Sequence, residues 1–195
     1  MIENYRSGGV WRWFMRNEHV KEGMKRAGFV AQPGVPEGAA MDLAGDWWFR
    51  AGDGLTNGTG WSRIRVPGFW EEQGFAGYDG IASYRRLFAL PEDSPLKSAG
   101  PVLLRLGAVD DADEVFINGR RIGGMGDFPP GSGSAWDAQR LYRVPDGVLQ
   151  FGRTNLVVVR VCDHTKGGGI WRGPVDLVPL SAVQYRPFYI AIPGE

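Results

Sequence analysis

A single cysteine in 195 residues, Cys162, excludes an internal disulfide framework and any multi-cysteine metal site. It closes an apolar run, where a buried and inert thiol is expected. Histidine is nearly absent as well. Neither His19 nor His164 has a serine or cysteine partner evident in the sequence. The nearest string to a G-x-S-x-G nucleophile elbow, Gly131-Ser132-Gly133-Ser134-Ala135, lacks the final glycine. Lys166-Gly167-Gly168-Gly169 reverses the order of glycine and lysine that a phosphate-binding loop requires. Net charge is missing too: 22 basic and 22 acidic residues cancel, so no broad basic surface is expected and nucleic acid is not an expected partner. No run reaches the roughly 18 apolar residues of a membrane span. The first residues lack the apolar core of a signal peptide, so the expectation is either a cytoplasmic protein or a targeting segment absent from this chain.

What is abundant is glycine, 30 residues, with 13 prolines beside it. That glycine content is roughly twice the usual share of about 7%, and it favours tight turns and short strands over long helices. Hydrophobic residues at 43% and charged residues at 23% fit a soluble globular protein, and the length fits one domain with an appendage. The chain divides near residue 40. Within residues 1–40, Val10, Trp13, Phe14, Val20, Met24 and Ala27 recur at roughly helical spacing, with basic side chains mostly elsewhere on that helix. The expectation is an N-terminal arm of amphipathic helix plus linker, docked on its own or a neighbouring domain or lying on a membrane surface.

Residues 41–195 read as all-β. Strands are expected near 47–50, 61–66, 83–90, 102–108, 113–118, 120–123, 139–144, 155–162, 173–179 and 183–191. Val102, Leu104 and Leu106 share a face with Arg105 turned away, and Leu156–Cys162 is apolar enough for a central strand. The sharpest local signal is Asp110-Asp111-Ala112-Asp113-Glu114-Val115-Phe116-Ile117-Asn118-Gly119-Arg120-Arg121-Ile122-Gly123. Asn-Gly between alternating apolar residues predicts a type I′ hairpin, since both central residues need positive φ. The carboxylates leading into it are explained most simply by a solvated loop or a cation site. A structural calcium ion would suit such oxygen ligands, although the spacing is not that of an EF-hand.

This hairpin resembles the central hairpin of the sugar-binding jelly-roll domain of family 2 glycoside hydrolases. Further segments resemble that domain in order: Gly45-Asp46-Trp47-Trp48-Phe49, Ile64-Arg65-Val66-Pro67-Gly68-Phe69-Trp70, Gly80-Ile81-Ala82-Ser83-Tyr84-Arg85-Arg86-Leu87-Phe88, Gly152–Val161 and Gly168-Gly169-Ile170-Trp171-Arg172. The resemblance covers about 42–180. It implies a galactose-binding-like jelly-roll β-sandwich, known also as an accessory module in sialate O-acetylesterases and bacterial sensor proteins. In the glycosidases a separate α/β barrel supplies the two catalytic carboxylates, and this chain has no room for one after the sandwich. The resemblance therefore implies a non-catalytic carbohydrate-binding module of a larger glycan-processing or glycan-sensing system, needing no cofactor.

By the same resemblance, the loops before the Tyr84-Arg85-Arg86 strand and after the valine-rich strand approach the sugar. The candidates are Tyr78 and Asp79 in the first, and Asp163, His164, Trp171 and Arg172 in the second, with Asp163 matching the family's sugar-contacting aspartate. Each has a plainer alternative: a turn-capping Asp163, a packing Trp171, an Arg172 tied to a neighbouring carboxylate. Phe128 and Trp136 border a second open loop on the way. Two rival functions stand beside sugar binding. One is a self-assembly module using residues 1–40 for homo-oligomer contacts; the other is a hydrolase-related enzyme, which would need an acid/base pair in one cleft.

Overall fold

The computed structural model describes residues 39–53 and 59–183. The arm, save for Ala39 and Ala40, and nearly all of the strand expected at 183–191 lie outside the described residues. Within them the chain forms eleven strands: β1 (Met41–Asp42), β2 (Gly45–Ala51), β3 (Ser62–Val66), β4 (Gly80–Leu90), β5 (Val102–Asp110), β6 (Ala112–Ile117), β7 (Arg120–Met125), β8 (Gln139–Val144), β9 (Arg153–Asp163), β10 (Gly169–Arg172) and β11 (Asp176–Pro179). Among the described residues the only helical segments are single 3-10 turns at Glu71–Gln73, Pro95–Lys97 and Leu180–Ala182. None is long and apolar enough to cross a membrane.

The strands make two antiparallel sheets, a β-sandwich. One runs β3-β2-β4-β9-β6-β7; in the other, β5 pairs with β8 on one edge and with β10 and β11 on the opposite edge, and β1 flanks β11. Alternation decides which side chains enter the core. Trp47 and Phe49, Leu104 and Leu106, and Val157, Val159 and Val161 are fully buried. Each such burial contributes about 1.5–3 kcal/mol. The hairpin forms as expected: Asn118 and Gly119 have φ of 50° and 79°, and Ile117 pairs with Arg120. Asn118 does more than turn the chain, because its side chain accepts from the Leu156 amide (2.9 Å) and donates to Asn155 Oδ1 (2.8 Å).

The strand expected at 173–179 is shorter, β11 at Asp176–Pro179, and an unexpected strand, β10, precedes it at Gly169–Arg172. β10 pairs with the end of β5 and β11 with its beginning, and between them comes the Gly173-Pro174 step. Gly107 permits this arrangement. It has φ of 63°, sits where the register of β5 against β8 shifts, and a Cβ there would overlap the Arg172 carbonyl. The edge of β3 is closed by a side chain: Gln73 Oε1 accepts from the Arg65 amide (2.7 Å) and its Nε2 donates to the Arg65 carbonyl (3.0 Å).

The acidic approach to the hairpin is not a solvated loop. Asp111 and Asp113 are buried. Arg140, on β8 in the opposite sheet, donates from Nε to Asp113 Oδ1 (2.7 Å), and both side chains are wholly shielded from solvent. Tyr142 donates to the other Asp113 oxygen (2.6 Å). Burial and the Asp113 carboxylate hold the Tyr142 phenol well above its ordinary range, so it remains a donor. The remaining Arg140 donors go to the carbonyls of Ala135, Ala138 and Asp111. Removing one member of such a pair strands a buried charge, which costs about 3–5 kcal/mol, whereas removing both is close to neutral. Arg140→Met is expected to lower unfolding free energy by about that amount in urea titrations, and Asp113→Leu/Arg140→Met to recover most of the loss.

Candidate functional site

The chain crosses from one sheet to the other through a single residue. β5 ends at Asp110, β6 begins at Ala112, and Asp111 between them follows a cis peptide. β9 ends at the same level, where Asp163 pairs with Gly80, while Gly169 of β10 pairs with Asp110. This end of the sandwich therefore gathers Asp110, Asp111 and Asp163. One carboxylate oxygen from each lies within 4.8 Å of the others, close enough to share a proton or one hard cation.

The three acids differ in their partners. Asp111 accepts from the Ser134 hydroxyl and from the His164 amide (2.8 Å), with His164 Nδ1 at 3.4 Å. Asp163 accepts from the Thr165 amide through Oδ1 (3.1 Å), whereas its buried Oδ2 has no partner. Burial first, then the carboxylates of Asp111 and Asp163, push Asp110 up to about 7. Asp163 is pushed up to about 6, again mainly by burial, with Asp79, Asp111 and Glu71 adding to the effect against the Thr165 hydrogen bond. Ser134, Asp111 and His164 are neighbours without forming a nucleophile relay. The serine hydroxyl donates directly to the carboxylate rather than to the imidazole, so the serine–histidine–carboxylate order of a relay is not formed. Cys162 is buried, and burial raises its thiol pKa, as expected of an inert thiol.

Aromatic rings border the cluster. Trp171 stacks with Phe69 (centroids 5.3 Å apart, 7° between planes) and with Trp136 (6.0 Å, 20°). The Trp171 indole N–H donates to the Trp136 carbonyl (2.9 Å). Trp136 is 52% exposed and is the most accessible ring of the three. Arg172 lies over Trp171 (4.6 Å to the centroid) and donates to the Asp137 carbonyl (3.0 Å).

Of the residues expected from sequence, Asp163, His164, Trp171, Arg172 and Trp136 meet at this end, with exposed Asp79 immediately before the Gly80 partner of Asp163. Asp163 is only 1% exposed, lying under Gly168, where a Cβ would clash with both the Trp70 ring and Asp163 Oδ2. Tyr78 is turned inward: its hydroxyl accepts from the Gly52 amide (2.8 Å) and donates to the Ile81 carbonyl (2.6 Å). Phe128 packs under the Arg160 guanidinium (4.6 Å), a side chain on the outer face of the six-stranded sheet. Sequence reasoning missed Phe69, whose place in the stack depends on loops far apart in the chain. It also missed Glu71, which accepts the Gly168 amide (3.0 Å).

No protein-family model matches this sequence, and no curated protein is similar to it. Solved structures are similar. One is a β-glucuronidase of Bacteroides uniformis, covalently bound to cyclophellitol-6-carboxylate aziridine (TM-score 0.54, 22% identity, 71% of this chain and 17% of that chain). Another is a putative β-galactosidase from Bacteroides fragilis (TM-score 0.53, 21% identity, 71% of this chain and 22% of that chain). A third is a glycosyl hydrolase family 2 member from Bacteroides cellulosilyticus (TM-score 0.54, 16% identity, 71% and 20%). The chain spans about a fifth of the length of each. The described fold is thus similar to that of about a fifth of each of these glycoside hydrolases.

Raised carboxyl pKa values tie stability to pH. Asp110 and Asp163 bind protons more tightly folded than unfolded, so their contribution is full below about pH 4 and is lost as pH rises through about 6 to 7. Asp110→Asn is expected to leave stability at about pH 4 little changed and to raise it by about 1 kcal/mol at about pH 8, after discounting for partial exposure. Urea unfolding at both values checks this; an equal effect at both would refute the assignment.

Proposed function

We propose that this chain is a non-catalytic carbohydrate-binding β-sandwich, an accessory domain whose loop end takes a neutral sugar. The observation that carries the reading is the exposed indole of Trp136, in a stack of rings beside a cluster of carboxylates. A flat apolar ring supports the C–H face of a pyranose, and carboxylates accept from its hydroxyls. In this reading Trp136 and Trp171 form the platform, Asp79 and His164 supply polar contacts at the rim, and Arg172 braces Trp171. Asp163 Oδ2, buried and unpartnered, accepts a sugar hydroxyl when Gly168 is displaced. The surplus of carboxylates disfavours an acidic sugar at this end, since like charges repel at close range. Affinity for a single sugar is expected to be weak, because hydroxyls exchange water for protein hydrogen bonds at small net gain.

Titration calorimetry with a panel of neutral mono- and oligosaccharides tests the proposal. The wild-type chain is expected to bind at least one of them. Trp136→Ala should weaken that binding about tenfold, consistent with loss of one stacking contact of about 1.4 kcal/mol. Asp163→Asn, which keeps an acceptor for the Thr165 turn, should weaken it as well. No binding across the panel, or binding indifferent to both substitutions, rejects the reading.

A further inference from the structure

The outer face of the six-stranded sheet has a chemistry opposite to that of the loop end. Strand register lays one row across all six strands: Arg63, Trp48, Arg85, Val158, Phe116 and Arg121. Their chain neighbours Trp47, Tyr84, Val157, Val115 and Ile117 are buried in the core, so this row faces outward. Such a face is ordinarily polar in an antiparallel sandwich. Here Trp48 is 36% exposed and Leu87, one row along, is 66% exposed.

The cations are held ready by stacking. The Arg63 guanidinium lies 4.2 Å from the Trp48 ring centroid, and that of Arg85 lies 4.0 Å from the Trp61 centroid. Stacking fixes the plane of a guanidinium while leaving its N–H edge free for bidentate contact. Arg50, Arg65 and Arg160 share the face, making six arginines against the carboxylates of Asp46, Asp53 and Glu114 among the described residues. Asp53 and Glu114 are already committed to Arg160, and Glu114 also to Arg121. One buried nitrogen of Arg50 has no hydrogen-bond partner.

We propose that this face binds an acidic polysaccharide, a chain of uronate units, separately from the loop-end sugar site. A hexuronate carries in each unit what the row offers to receive: a flat apolar ring face for Trp48 and Leu87, and a carboxylate for a guanidinium fork. An acidic peptide carries the charge without the ring. Neighbouring strands are about 4.8 Å apart, so six of them give a track of roughly 24 Å, room for several sugar units of an extended polymer. A second copy of the same face, equally rich in arginine, would be repelled.

The test uses the full chain, with polygalacturonate as probe, in affinity electrophoresis and calorimetry. Wild-type protein is expected to bind polygalacturonate, more weakly as salt rises, and not to bind its fully methyl-esterified form. Arg63→Gln/Arg85→Gln should weaken binding at least about tenfold, the loss expected when forked contacts are removed. Arg143→Gln, which removes one positive charge from the exposed side of β8 in the other sheet and so matches either single Arg→Gln change, should not. Thermal unfolding checks that the variants fold. If the double variant does not, Arg63→Lys and Arg85→Lys are read singly, since each keeps the charge and loses the fork. Equal binding of poly-L-glutamate or of a single-stranded oligonucleotide, with the same sensitivity to these variants, would overturn the proposal in favour of a protein or nucleic-acid partner. So would absence of binding, or binding abolished by Trp136→Ala rather than by the arginine variants. Neutral-sugar binding at the loop end is measured independently, so failure of one proposal leaves the other standing.

Discussion

The Arg140–Asp113 ion pair is the interaction on which the arrangement of the loop end depends. It is the one described charge pair wholly withdrawn from water, and it spans the gap between the sheets. Its geometry explains why the cost of burial is tolerated. Every Arg140 donor direction that the fold offers is met by a carboxylate or a carbonyl, and the second Asp113 oxygen is met by Tyr142. Three of those acceptors, the carbonyls of Ala135, Ala138 and Asp111, belong to the loop that carries Trp136 and to the crossover. The pair thus sets the spacing of the sheets and the position of the exposed indole together. Buried ion pairs contribute little net stability, so its effect here is chiefly one of specifying geometry.

The surface divides by charge in a way that the zero net charge conceals. Carboxylates of Asp79, Asp110, Asp111, Asp163 and Glu71 concentrate at the loop end, and the six-stranded sheet presents arginines interleaved with aromatic rings. A chain that averages to neutrality therefore carries two regions of opposed charge. Screening over about 10 Å keeps them independent of each other at ordinary ionic strength.

Much of the fold was legible because it rests on local rules. Alternation marked β5 and β6, a nearly continuous apolar run marked β9, and Asn118-Gly119 marked the hairpin, since period two, a central place in a sheet and positive φ each leave a direct trace in residue type. β10 left little trace: Gly169-Ile170-Trp171-Arg172 is short and glycine-led, and it becomes a strand only because Gly107 lets β5 bend to meet it. The site was legible in part. Asp163 and Trp171 stood out through the resemblance of their loop to a known domain. The meeting of Asp110, Asp111 and Asp163, and the stacking of Phe69 with Trp171, are products of long-range closure. Burial of Asp113 was equally hidden, because a run of acids reads as solvated until a partner such as Arg140 arrives from the other sheet.

The one-residue crossover at Asp111 also bears on how such a domain can change over time. Loops of several residues, such as that between β7 and β8, absorb insertions by bulging outward. The passage from Asp110 to Ala112 has no slack to absorb one. An extra residue there would advance β6 by a single position and turn Glu114 and Phe116 inward in place of Asp113, Val115 and Ile117. Length variation is thereby channelled to the rims of the sandwich, where new loops can be grafted, while this junction keeps the same residue count as its surroundings diverge.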